Sequence, residues 1–205
     1  LMKDKKHPAY LRFPKSDFSE LKYDDKSYLL LDLIKSKNVR VLMTNGFSDY
    51  KMQAPIKNTH RSFVELCFCI PGYWEVKDLK EKEFNWLFLW LKKIQEHIKK
   101  ENSWIGDGHT IRCAKEGESF SKSMKQNHLF ICDSIMLEEE FSPVDLEDGK
   151  RVYFLFLVPI FPDEMDYKQG KGTYFLKKKF LKHGITEKLD EFRQTALKNR
   201  WRLLR

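Results

Sequence analysis

The residues best placed to do chemistry lie in Trp104-Ile105-Gly106-Asp107-Gly108-His109-Thr110-Ile111, where an acid and a histidine alternate with two glycines between apolar anchors. Glycine tolerates positive φ, so Gly106 and Gly108 allow a tight turn that presents Asp107 and His109 at the start of a strand. An imidazole beside a carboxylate suits proton transfer and equally a structural hydrogen bond, and nothing in the spacing selects a reaction. The other histidines, His7, His60, His97, His128 and His183, complete no HExxH or HxH metal pattern. A phosphate loop needs its glycines to lead into a helix, whereas this one carries an acid and leads into a strand, which argues against a nucleotide. Glu164 and Asp166 stand two apart at a helix start, where capping explains them better than paired acid and base roles. The chain therefore reads as non-catalytic, with no metal site and no cofactor.

The four cysteines, Cys67, Cys69, Cys113 and Cys132, sit in apolar strand-like segments without CxxC spacing. Cys67 and Cys69 are two apart, so on a strand they face one side as small hydrophobes. Buried reduced thiols suit a cytoplasmic setting. Charge is distributed unevenly. From Lys171 onward there are 11 Lys or Arg against three acids, which accounts for the whole net charge of +8 and leaves the body balanced. Against this stands an acidic segment, Glu138-Glu139-Glu140 with Asp145, Glu147 and Asp148. Such asymmetry can steer a partner or simply solvate two faces. Lys177-Lys178-Lys179, Lys182, Lys198, Arg200, Arg202 and Arg205, with Phe180 and Trp201 interleaved, could follow a phosphate backbone or form an exposed basic face.

Elements must hold these groups in place. With 41% hydrophobic and 14% aromatic residues the 205-residue chain has ample material for a core, and no apolar run reaches the roughly 20 residues that span a bilayer. No secretory leader and no membrane partner are expected. Residues 1–26 read as an irregular entry or short helix. Tyr28–Ile34 and Val39–Thr44 flank Lys35-Ser36-Lys37-Asn38 as a hairpin, and a third strand runs from about Ser62 to Ile70. Apolar residues at Phe84, Leu87, Phe88, Leu91, Ile94 and Ile98 predict a helix over Leu79–Lys99, greasy on a second side through Trp86, Leu89 and Trp90. Short strands follow at Thr110–Cys113 and His128–Ile135, separated by a long Gly/Ser/Lys loop. Arg151–Val158 reads as a central buried strand ended by Pro159. Helices are predicted from Pro162, over Thr173–His183 and over Thr186–Leu197. The expected class is α+β, with a mixed, largely antiparallel sheet packed with helices. One domain spans 1–205, carrying a basic helical C-terminal segment, 171–205.

In order along about 150 residues, Leu42–Asp49, Val64–Pro71 with Trp74, Trp104–Ile111, Val158-Pro159-Ile160, Asp163–Lys168, Gly172, and Gly184-Ile185-Thr186 through Leu189-Asp190 and Arg193 resemble the Suppressor of fused (SUFU) domain, especially its bacterial branch. The resemblance implies an α/β sandwich that works by binding another protein. Bacterial members commonly look like immunity proteins or antitoxins, which makes a cognate toxin the expected partner. In animal members an acid beside the histidine of this glycine loop helps to hold the partner peptide, whereas here Gly108 precedes His109 and the acid stands one place earlier, at Asp107. Exposed loop acids govern partner choice, so Asp49, Asp107, His109, Glu138, Glu139 and Glu140 are the candidate partner-binding residues. The competing class is a nucleic-acid-binding regulator that uses the basic C-terminal segment.

Overall fold

The computed structural model describes residues 7–198 apart from 76, 78, 80, 82, 113–118 and 122–123. Near-continuous apolar runs form most of the strands, and together they build an eight-stranded sheet with a buried layer on each face. Strands β1 (Phe18–Tyr23), β2 (Lys26–Leu33), β3 (Val39–Thr44) and β4 (Phe63–Pro71) form an antiparallel meander. β2 and β3 are joined by a single helical turn, α1 (Ile34–Lys37), closed by Asn38 in the left-handed region at φ 55°. The predicted hairpin and third strand are therefore present. β1 is an addition within residues 1–26: its alternation is mostly polar because it is an edge strand with one wet side.

β4 pairs in parallel with β8 (Arg151–Ile160), which is flanked in turn by β6 (His128–Cys132) and then β5 (Thr110–Arg112). The two-residue β7 (Val144–Asp145) pairs with the first residues of β8, beyond the reach of β6. β8 is central and buried as expected, but Pro159 does not end it. Pro159 lies opposite Leu129 within the ladder, and the strand runs on to Ile160.

One face of the sheet carries α2 (Asn85–Lys100), whose Trp86 packs edge-on against Phe68 at 5.3 Å while Phe88 meets Tyr28 at 5.2 Å. The helix starts later than the periodicity predicts. Its second greasy side is partly covered within the domain, since Phe120 lies 5.1 Å from Trp86, although Leu89 remains exposed. The opposite face is covered by the 8–11 turn, the 134–146 segment, α3 (Pro162–Lys171) and α4 (Thr173–Lys182). The three described cysteines, Cys67, Cys69 and Cys132, are free and buried on this side, and Cys113 falls outside the described residues. The predicted helix over Thr186–Leu197 is absent. There the chain bridges in parallel to β4 through Lys188 and Cys69, with the Leu189 amide donating to the Cys69 carbonyl at 2.8 Å. Among its described residues the basic segment is thus helical only to Lys182; beyond it the chain runs in turns and one bridge, held by the buried contacts of Glu187 and Arg193.

Candidate functional site

The strand directions gather several loops at one end of the sheet. There β3 and β6 finish and β4, β5 and β8 begin, as the registers Met43↔Cys67, Phe63↔Val152, Cys132↔Phe156 and Thr110↔Phe130 require. The glycine turn docks on the end of β6: the Gly108 amide donates to the Ile131 carbonyl and the Ile131 amide to the His109 carbonyl, both at 2.8 Å. Gly108 has φ +88°, and a Cβ there would lie 2.8 Å from the Thr173 hydroxyl. Gly106 has a different role from the one predicted. Its φ is not positive, and what it supplies is room, since a Cβ would lie 2.5 Å from the Trp104 ring.

Asp107 is exposed and held from two sides. Its Oδ1 accepts the Asp133 amide at 3.1 Å and the Lys177 ammonium at 2.5 Å. Asp133 in turn takes a two-pronged contact from Arg61, both bonds at 2.8 Å, and the guanidinium lies 4.4 Å from the centre of the Tyr153 ring. The hydrogen bond to Asp133 raises the Arg61 pKa, so the guanidinium stays charged. The His109 ring rests edge-on against Trp104 at 4.5 Å and makes no hydrogen bond among the described residues. Partial burial, reinforced by Lys168 and opposed by Asp107, lowers its pKa and keeps it neutral. The geometry therefore displays a carboxylate and a packed imidazole; it does not form a proton relay between them.

Asp49 stands exposed on the single turn Phe47–Asp49 at the same end. The Tyr50 hydroxyl donates to Asn102 at 3.1 Å and the Gln53 amide to the Ser103 carbonyl at 3.4 Å, directly before Trp104, so the two loops are neighbours. Glu138, Glu139 and Glu140 lie elsewhere. Glu140 pairs at 2.8 Å with Lys37, which follows β2 at the opposite end of the sheet, and Glu138 and Glu139 are exposed. The candidate acids thus divide into an Asp49–Asp107–His109 end and a separate glutamate patch.

The residues that fix these loops escape sequence reasoning. Three glutamates, Glu65, Glu164 and Glu187, are completely buried. Glu65 accepts the amides of Gly46, Phe47 and Ser48 at 3.3, 3.3 and 3.0 Å, together with the Ser48 and Thr44 hydroxyls, and so holds the Asp49 loop. Glu187 accepts the amides of Ile135, Met136 and Leu137 at 2.8–3.1 Å and the Ser134 hydroxyl, which anchors the start of the glutamate patch. Glu164 meets Arg193 through two bonds of 2.7 Å and also accepts the Phe161 and Ala196 amides, at 3.0 and 2.8 Å. Glu65 leaves a trace in the sequence as a lone acid inside an apolar strand and Glu164 as an acid at a helix start, whereas Glu187 leaves none. Capping accounts for part of Glu164, as predicted, through its bond to the Phe161 amide.

Of the basic segment, Lys177 is engaged by Asp107 and Phe180 is fully buried, 6.0 Å from Phe130, so Phe180 has no face free to stack on a base. Arg200, Trp201, Arg202 and Arg205 lie outside the described residues. Among the described residues no group of three His, Cys, Asp or Glu side chains could hold a metal ion, and no helix is long and apolar enough to cross a membrane.

A family model described as Suppressor of fused protein (SUFU) matches residues 22–194. The fold is similar to a SUFU homologue from Neisseria gonorrhoeae, with a TM-score of 0.61, 14% identity and 89% of each chain covered. It is also similar to a chain of the Sufu-Fu complex, with a TM-score of 0.63 and 14% identity over 96% of this chain and 89% of that one. Suppressor of Fused from Drosophila aligns with a TM-score of 0.58 and 16% identity over 87% of this chain but 43% of its own length. No curated protein matches.

Proposed function

Because this chain belongs to the Suppressor of fused family, we propose that it is a non-catalytic protein-binding domain, working as a bacterial cytoplasmic immunity protein that neutralises a cognate toxin by covering its active surface. The observation that carries this reading is the loop end of the sheet. Asp49 and Asp107 are exposed there on loops whose backbones are fixed from beneath by Glu65 and by the β6 ladder. A surface fixed before contact loses little conformational freedom on binding, and its charges set association rate and partner choice. The packed, neutral His109 adds a flat aromatic neighbour through Trp104. Similarity to a chain solved in a two-protein complex is consistent with protein binding as the working mode.

The test is co-expression with the product of the adjacent gene, followed by capture at moderate salt after nuclease treatment. One stoichiometric protein, with its toxicity relieved by this chain, is expected. Recovery of nucleic acid without a protein partner would move the function to the basic segment, where Lys178, Lys182 and Lys198 are exposed.

A further inference from the structure

α4 has two unlike sides. Leu176 and Phe180 face the core and are fully buried. Tyr174, Phe175 and Leu181 project outward and are 69%, 49% and 65% exposed. Positions 174, 178 and 181 follow i, i+4, i+7 spacing, and 175 and 182 complete the same outward arc. Lys178 and Lys182 therefore sit among the three apolar groups. Neither lysine has an ion pair among the described residues, and Lys171, at the end of α3, is likewise unpaired and exposed. Three large apolar side chains clustered on one helix face are unfavourable in water and mark a contact surface, and the unpaired lysines among them set its charge.

The chemistry of the occupant follows from the shape of this stripe. Its cations call for carboxylates, and its apolar groups call for Leu, Ile or Phe between them. The neighbouring α3 exposes two acids, Asp163 and Asp166, as well as the cation Lys171, so the charge around the stripe is of mixed sign. An extended polyanion such as a phosphate backbone or an anionic bilayer gains little from surroundings of mixed sign, whereas a single segment can follow α4 and the end of α3. Tyr174 and Phe175 are set edge to face at 5.4 Å, so they offer a ridge and not two parallel stacking platforms. The stripe is also continuous with the loop end, because Lys177 of the same helix binds Asp107 and Thr173 packs against Gly108.

We infer that the outer face of α4 docks an acidic amphipathic segment of the partner protein. This rests on the protein-binding reading above and names a second part of the contact, in which the segment's apolar side chains lie over Tyr174, Phe175 and Leu181 and its carboxylates meet Lys171, Lys178 and Lys182.

The experiment is fluorescence anisotropy of the whole chain with a labelled synthetic helical peptide carrying Leu on one face and Glu along its flanks. Wild type is expected to bind with an affinity that falls as salt rises. K178E/K182E and Y174S/F175S/L181S should each weaken binding at least about tenfold, and Lys22→Glu, exposed on the edge strand β1, less than about threefold. All substituted side chains are exposed or at the rim, so unchanged circular dichroism should accompany each loss. Absence of peptide binding, or equal binding by the α4 variants, overturns the inference. So does a preference of this face for phosphatidylserine vesicles or a single-stranded oligonucleotide over the peptide. The toxin-capture experiment does not use this peptide, so either failure leaves the other result readable.

Discussion

Buried and exposed carboxylates do opposite jobs in this molecule. Glu65, Glu164 and Glu187 are sealed from water, and each draws a sequence-distant stretch of backbone onto itself. Asp49, Glu138 and Glu139 are exposed on segments that Glu65 and Glu187 hold, and Asp107 is exposed on the turn docked against β6. The same functional group thus builds the scaffold in one place and faces the solvent in the other. A buried carboxylate is tolerated only where hydrogen bonds replace its water, whereas an exposed one keeps its hydration and acts at a distance.

The sharpest way to break this contrast is to remove a buried partner. Arg193→Ala strands Glu164 without its guanidinium and should cost about 3–5 kcal/mol in urea unfolding. Glu187→Ala leaves three neighbouring amides without an acceptor and should cost about 3 kcal/mol, with hydrogen exchange rising first at Ile135–Leu137. A loss below about 1 kcal/mol in both would show that these glutamates do not anchor the segments.

Acidity probes the same scaffold more gently. The Nδ1 of His7 accepts the Ala9 amide at 3.2 Å and its Nε2 donates to the Thr44 carbonyl at 3.0 Å, an arrangement that needs a neutral ring. Burial lowers its pKa from 6.5, with Glu65 opposing the shift. The unfolded chain therefore takes up the proton first. The contribution of His7 is complete above about pH 6.5 and is lost as pH falls from there through the depressed folded value. His109 and His128 are also lowered by burial and act in the same sense. The urea midpoint should fall below pH 6.5, less steeply in His7→Gln; an identical slope would remove His7 from the account.

The exposed acids should behave otherwise. Asp107→Asn loses a rim ion pair and should change stability by less than about 1 kcal/mol, while slowing association with the captured partner. Reversing Glu138, Glu139 and Glu140 together removes the Lys37 pair and should lower stability by less than about 1 kcal/mol. Unchanged association kinetics in that variant would confine the contact to the loop end. An effect of opposite sign is expected at Tyr28, the single buried side chain among the described residues whose hydroxyl lacks a partner. Tyr28→Phe should be neutral or stabilising by up to about 1 kcal/mol.

What could be read in advance follows the physics of patterning. Strands β2, β3, β4 and β8 announce themselves because their apolar runs are buried on one or both faces. β1 does not, since Ser19, Glu20 and Lys22 give an edge strand the look of a loop. Residues 186–197 carry helical spacing, yet Glu187 and Arg193 find partners across the chain that outweigh propensity. The glycine turn was legible as a display of Asp107 and His109. Its anchors were not, because Asp133, Arg61 and Lys177 come from three other parts of the chain and no local pattern links them. The division of the acids between two ends of the sheet was hidden for the same reason.

The parallel pairing of β4 with β8 also bears on how the chain reaches this state. β1 to β4 are contiguous in sequence and can zip as successive hairpins while the polypeptide is still being made. The seam at Phe63↔Val152 closes only after β8 has been synthesised. Until then the apolar edge of β4 stays open to other chains, a hazard that local hairpin formation cannot remove. Closure of this long loop should therefore limit the folding rate, and a slow ribosome or a chaperone would act on this molecule chiefly by guarding that edge.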